Sequence, residues 1–288
     1  MTEKCARCAL ITGASQGLGR AFAEECAGRG MDLILVALPE TGLPELARIL
    51  EVAHHVRIET IEMDLAQPEA PRSIALQSRT RGFAVDTLIN NAGVGFTSRF
   101  ADSSAGQNEA TIQLNVAALV RLTQELLPSL QQKQRAWILN VASVGAFFPM
   151  PSMPVYSSTK TFVFTFSRLL RAELRGTRIG VSVLCPNGIR TNRRTREMIE
   201  RQGWAGRATC RFPDEVARAG LRGLFRGTGV IVPGILNRLL IGASPFVPQG
   251  LYMRVISRRW GTASAPAAVP GSRTVPTGSL AWGQANGG

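Results

Sequence analysis

The chain has 288 residues, 45% of them hydrophobic, and a net charge of +13 from 33 Lys and Arg against 20 Asp and Glu. That composition excludes a disordered or fibrous protein, and the length suffices for one α/β domain with a full core. No Lys/Arg run interleaved with aromatics marks a nucleic-acid surface, and no run of about 18 apolar residues marks a membrane span.

The positive charge is almost all arginine, since Lys4, Lys133 and Lys160 are the only lysines. Met1-Thr2-Glu3-Lys4 lacks the apolar core of a signal peptide, so a cytoplasmic protein is expected. Cys5, Cys8, Cys26, Cys185 and Cys210 suggest no disulfide framework. Cys5-Ala-Arg-Cys8 has no second pair at zinc-ligand spacing, so no metal is expected.

Strand-like and helix-like segments alternate along the chain. Ala9-Leu10-Ile11 is a short apolar run closed by Thr12-Gly13, and residues 18–29 have helical spacing. Residues 33–38 are continuously apolar, as a strand buried on both faces should be. A helix is expected over 43–52 and a strand over 56–63. Residues 87–89, 137–141 and 181–184 repeat the strand theme, with long helical stretches at 110–127 and 155–174 between them. This alternation predicts an α/β fold, a doubly wound parallel sheet with helices on both faces. Ligands of such sheets bind at the carboxyl ends of the strands.

Thr12-Gly13-Ala14-Ser15-Gln16-Gly17-Leu18-Gly19 follows the first strand and opens the first helix. Glycines let the backbone approach a pyrophosphate, and the helix N-terminus supplies N–H groups and a positive dipole end. Gly13, Ser15, Gln16, Gly17, Leu18 and Gly19 are therefore candidate dinucleotide contacts. The second strand ends Val36-Ala37-Leu38-Pro39-Glu40, with neither the acidic residue that binds a ribose 2′-OH nor the arginine that accommodates a 2′-phosphate. The missing Asp at Ala37 leans towards NADP, and the missing Arg at Leu38 leaves the choice at NAD(P). Asp64, with Leu65 after it, closes the third strand, placed either to accept from an adenine amine or to cap the next helix. Asn90-Asn91-Ala92-Gly93 ends the fourth strand; its small residues leave room for cofactor, and asparagine can lock neighbouring strand ends.

Tyr156 and Lys160 stand four residues apart, with Ser143 upstream. On a helix they share a face, and an ammonium near a phenol favours the phenolate. A group that trades a proton beside a dinucleotide points to oxidoreductase chemistry.

Together these stretches resemble the short-chain dehydrogenase/reductase family over roughly residues 8–232. The motifs that carry the likeness are Thr12-Gly13-x-x-x-Gly17-x-Gly19, Asp64, Asn90-Asn91-Ala92-Gly93, Asn115, Ser143, Tyr156-x-x-x-Lys160, and Pro186 with Thr191. The resemblance implies that Asn115, Ser143, Tyr156 and Lys160 form the catalytic group. Tyr156 would handle the proton, Ser143 would donate to the substrate oxygen, Lys160 would bind the nicotinamide ribose, and Asn115 would hold a water of a proton relay. It also implies that the stretch from Pro186 through Ile189 to Thr191 lies against the nicotinamide, and that residues near 190–211 form a substrate lid. Asn187 between Pro186 and Gly188 departs from the family's usual Pro-Gly. Homo-oligomers built on the two long helices are a further implication.

Phe147-Phe148-Pro149-Met150-Pro151 and Met153 predict an apolar rim and a hydrophobic small-molecule substrate. The arginines of 190–211 read either as a solvated face or as attraction for an anionic substrate. Residues 1–235 are read as the catalytic domain. Residues 236–261 are read as an amphipathic helical extension, packed on the domain or held at a membrane surface, and 262–288 as a disordered tail. The alternative to an enzyme is a cofactor-binding regulatory or scaffold protein of the same fold.

Overall fold

A computed structural model describes residues 7–189, 209–244 and 250. Residues 190–208 of the lid expected near 190–211, with Thr191, most of the expected C-terminal extension and the tail lie outside the described residues, as does Cys5.

Seven strands form one parallel sheet: β1 (Cys8–Thr12), β2 (Asp32–Ala37), β3 (Ile58–Glu62), β4 (Thr87–Asn90), β5 (Ala136–Val141), β6 (Ile179–Leu184) and β7 (Val230–Ile231), in the order β3-β2-β1-β4-β5-β6-β7. The expected α/β class and doubly wound parallel sheet are observed. Every residue of β1, β4 and β5 is buried, which is why these segments are mostly apolar. Side chains alternate between the faces: Ala9, Ile11, Leu33 and Leu35 point into one core, Leu10, Ile34 and Val36 into the other.

The first core is covered by α1 (Gly17–Ala27), α2 (Leu43–His54) and α7 (Pro213–Phe225). The second is covered by α3 (Ala70–Thr80), α5 (Leu119–Gln131) and α6 (Pro154–Glu173). α3, α7 and β7 add to the elements read from the sequence. The helix expected over 110–127 differs in two ways. It begins earlier, as α4 (Ala105–Ile112), with a capping box in which the Ser104 hydroxyl accepts from the Gln107 N–H and the Gln107 side chain accepts from the Ser104 N–H. It then widens into a π-helical turn, Gln113–Ala118, before continuing as α5. Such turns are frequent at functional sites. The chain's last described helix, α8 (Ile235–Ala243), starts the extension and packs on the domain through Asn237 and Ile241. Strand order reverses between β1 and β4, so the crevice at their carboxyl ends is where a doubly wound sheet takes its ligand.

Candidate active site

The turn after β1 depends on glycine. Gly13 has φ 65° and Gly17 φ 56°, left-handed values that glycine adopts without steric cost. At Gly19 a Cβ would lie 1.9 Å from the Gly13 carbonyl oxygen, so no other residue lets α1 approach the turn this closely. Gln16 stands at the N-cap position of α1 without a side-chain cap bond. Asn91 holds the turn against the end of β4. Its amide donates to the carbonyls of Thr12 (2.9 Å) and Gly13 (3.3 Å), while the backbone N–H groups of Asn91 and Ala92 both donate to the Thr12 hydroxyl at 3.0 Å. Asn90 donates to Asn140 at 2.8 Å and Thr123 at 3.0 Å, tying β4 to β5 and α5. The expected locking of strand ends is thus observed, by two asparagines.

The neighbouring strand ends are plainer. Ala37 is buried and Leu38 is 54% exposed. Arg20 pairs with Glu24 along the surface of α1 at 2.8 Å. Asp64 accepts from the Ala66 N–H (2.9 Å) and from the Gln67 amide (3.3 Å). It shapes a turn, and α3 begins only at Ala70, so the helix-cap alternative does not apply.

Across the crevice, α6 carries Tyr156 and Lys160. Lys160 is 5% exposed and donates to the Val141 carbonyl at the end of β5 at 2.9 Å. Its Nζ stands 5.7 Å from the centre of the Tyr156 ring. Ser143, just past β5, accepts from the Gly145 N–H at 3.0 Å, and its hydroxyl is hydrogen-bonded to that of Tyr156. The three side chains expected to act together therefore meet in one place. Two glycines make room for them. A Cβ at Gly93 would lie 3.1 Å from Asn115 Oδ1 and 3.2 Å from Lys160 Nζ, and one at Gly95 would lie 2.5 Å from Tyr156 Cδ2.

Asn115 sits in the π-helical turn and is buried. Its Oδ1 accepts from the Val94 N–H (2.8 Å), and its Nδ2 donates to the Val94 carbonyl (2.9 Å) and to Thr159 Oγ1 (3.0 Å). Both amide N–H bonds are used, so the amide clamps the loop after β4 to α6. The water-holding role expected of Asn115 is not one that this amide nitrogen is available to play.

Burial dominates the site's electrostatics. It pushes the Lys160 ammonium down from 10.5 to about 8. Burial also raises the Tyr156 hydroxyl above its ordinary value, with the Ser143 hydrogen bond opposing it. The expectation that Lys160 lowers the pKa of Tyr156 is not met in the folded chain, where burial raises it. Desolvating a phenolate costs more than the neighbours return, and the ammonium faces the ring and the Val141 carbonyl.

The apolar rim is also redrawn. Phe147 packs edge-on against Phe164, ring centres 4.6 Å apart, within the core. Beside Tyr156 lies a hollow of about 10 Å³ lined by Phe96, Phe100, Met153, Pro154 and Val155, with Ser98 and Thr111 among its polar groups. Pro186 is buried at the end of β6 and its carbonyl accepts from Val144 N–H at 2.9 Å, next to Ser143; Ile189 pairs with Arg211 in an isolated bridge. Residues not singled out in the sequence also shape the site. Gly95 and Thr159 do so through contacts to residues distant in the chain, although Thr159 lies between Tyr156 and Lys160.

The model of the short chain dehydrogenase family matches residues 7–202. A curated relative, very-long-chain 3-oxoacyl-CoA reductase-A of Danio rerio, is 31% identical over 179 residues, 61% of this chain and 56% of the relative. The chain thus spans little more than half the length of that relative. A short-chain dehydrogenase from Sphingobium yanoikuyae in complex with NADPH is 31% identical, with a TM-score of 0.70 over 90% of this chain and 98% of that one. A short chain dehydrogenase/reductase from Burkholderia phymatum in complex with NAD is 25% identical, with a TM-score of 0.74 over 93% of this chain and 100% of that one.

Proposed function

Because the chain belongs to the short chain dehydrogenase family, we propose that it is an NAD(P)-dependent oxidoreductase that interconverts a carbonyl and a secondary alcohol. The observation that carries this reading is the meeting of Ser143, Tyr156 and Lys160 opposite a glycine turn, at the carboxyl edge of the sheet. A nicotinamide cofactor supplies or accepts the hydride when bound.

The residues present fit such a group. Gly13 to Gly19 form a cradle that a Cβ at Gly19 would close, and Gly93 keeps the floor below Lys160 clear. Ser15, Gln16, Gly17 and Leu18 would line the pyrophosphate end, Asp64 and Leu65 the adenine end, and Asn91 to Gly93 the floor. Pro186, Ile189 and Thr191 would face the nicotinamide. Lys160 uses one of its three N–H donors on Val141, which leaves two for a ribose.

In the reductive direction Tyr156 gives its proton to the carbonyl oxygen. Ser143, already bonded to that hydroxyl, donates to the same oxygen and stabilises the charge growing there. The raised pKa of Tyr156 keeps it protonated at neutral pH, as a proton donor must be. The oxidative direction needs a phenolate, which a nearby positive charge favours.

Phe96, Phe100, Met153 and Val155 beside Tyr156 support a hydrophobic substrate, an acyl chain in the first instance. Ala37, at the position where a carboxylate would bind a ribose 2′-OH, slightly favours NADP over NAD. Ile112, Phe162 and Leu169, exposed on α4 and α6, support a homo-oligomer, and Ile235, Leu239 and Leu240 on α8 support peripheral membrane contact. A monomer in sedimentation velocity would remove the first, and no flotation with anionic liposomes the second.

The deciding experiment titrates NADPH and NADH, then follows a panel of ketones by the absorbance of reduced nicotinamide. Tyr156→Phe should lower kcat by about a thousandfold with cofactor Kd nearly unchanged. A wild-type chain that binds cofactor but turns over no ketone would favour the scaffold alternative.

A further inference from the structure

The turn at the end of β6 is gripped from the far side by α8. Asn187 Oδ1 accepts from the Gly188 N–H at 2.9 Å, and its Nδ2 donates to Asn237 Oδ1 at 3.2 Å. Asn237 is 2% exposed. Its Nδ2 donates to the carbonyls of Thr209 and Pro233, each at 2.9 Å. With both N–H bonds of Asn237 turned to carbonyls, its oxygen is the atom left for Asn187, so the orientation of each amide is determined. Around this pair the Arg211 N–H donates to the Gly188 carbonyl at 3.2 Å, and Arg238 donates to Val232 at 2.9 Å.

We propose that Asn237 is a positioning residue: through Asn187 it fixes the turn at 186–189 against the nicotinamide end of the cofactor, a role that rests on the oxidoreductase reading above. Anchoring α8 alone does not require an amide. An apolar side chain would fill a buried site at lower cost, because a buried amide is tolerated only when its groups are paired. The amide at 237 is matched to an amide at 187, where a glycine would offer nothing to hold. From the other side the turn is held by the Pro186 carbonyl, which accepts from Val144 beside Ser143 at 2.9 Å. Asn237 and the serine loop thus bracket one turn, and its reach into the crevice is set by both.

The test compares Asn187→Gly, Asn237→Ala and the double variant in the full chain. Readouts are Kd for NADPH and NADH, the primary isotope effect with deuterated reduced cofactor, and the midpoint of urea unfolding. Each single change should raise Kd about fivefold, and the double should be no worse than the worse single, since the bond that reaches the turn is the one both remove. Should Asn237→Ala not fold, Asn187→Asp keeps the acceptor for Gly188 and replaces the donor to Asn237 by a carboxylate oxygen that faces Asn237 Oδ1, with a rise of at least about fivefold expected. Losses that multiply, or a lowered unfolding midpoint with Kd and isotope effect unmoved, would overturn the proposal. Wild-type chain that binds neither cofactor overturns the oxidoreductase reading and this role together. Wild-type binding with insensitive variants overturns this role alone.

Discussion

At the end of β5, Lys160 is 5% exposed and bonded to a carbonyl, Ser143 and Tyr156 share a hydrogen bond, and Asn115 is clamped by three. At the end of β2, Leu38 is 54% exposed, and Arg20 has turned along its own helix to Glu24. The two ends of one crevice therefore follow different rules. At the proposed proton-transfer end Lys160 and Asn115 are buried and hydrogen-bonded, because small displacements there are costly. At the proposed ribose end Leu38 is a surface tip that can change without disturbing the core, while Ala37 before it is buried.

The cost of that burial is the first way to break the comparison. Burial lowers Lys160 from 10.5 to about 8, so the folded chain gives up this proton before the unfolded chain does. Between those values the unfolded state binds more protons, and Lys160 makes unfolding free energy rise with pH. Below pH 8 both states hold the proton and the folded one carries a buried ammonium. The thiols of Cys26 and Cys185, pushed up to about 12 by burial, act in the opposite sense once the unfolded thiols ionise near 9. The informative quantity is therefore wild type minus Lys160→Met. That difference should rise by roughly 3 kcal/mol between about pH 7 and pH 11, measured by urea unfolding. A flat difference would mean that Lys160 is solvated and that the catalytic end is no more buried than the ribose end.

Gly95 offers the second. A Cβ there would lie 2.5 and 2.9 Å from two atoms of the Tyr156 ring and 3.1 Å from Met153 Cε. The methionine can swing away; the ring cannot without carrying its hydroxyl off Ser143. Gly95→Ala should lower kcat about a hundredfold and leave cofactor Kd unchanged, by steady-state kinetics and fluorescence titration. An unchanged kcat would show that the catalytic end tolerates displacement as the ribose end does.

The contrast also governs what was legible in the sequence. β2, β5 and β6 announce themselves because strands buried on both faces are mostly apolar, with Asn140 and Ser182 the interior exceptions in β5 and β6. Gly13, Gly17, Gly19, Tyr156 and Lys160 are legible because turn geometry and helical periodicity impose local spacing. The π-helical turn at 113–118 has no such signature, since it is a backbone irregularity that follows from packing. Asn115 meets partners 21 and 44 residues away, and Asn187 meets Asn237 at a separation of 50; such pairings exist only once the sheet is assembled. Phe147 reads as a rim residue but turns into the core against Phe164, a choice that sequence neighbours do not dictate. The raised pKa of Tyr156 is likewise a consequence of tertiary burial, invisible in the Tyr-x-x-x-Lys spacing that suggested the opposite.

The smallest expected effect sharpens the other side of the comparison. Leu38 is exposed, and its carbonyl is held by the Thr41 hydroxyl at 2.7 Å, so a longer side chain meets little resistance and the turn keeps its anchor. Leu38→Arg should raise the ratio of NADPH to NADH affinity about tenfold, the worth of one charge-assisted bond to a 2′-phosphate. Ala37→Asp should move the same ratio the other way. Because the ribose tip lies far from the proton transfer, its contacts are equally strong in ground and transition states, and kcat should stay within about twofold for both variants. If kcat falls together with the affinity ratio, the ribose end is coupled to Tyr156 after all, and the two ends obey a single rule.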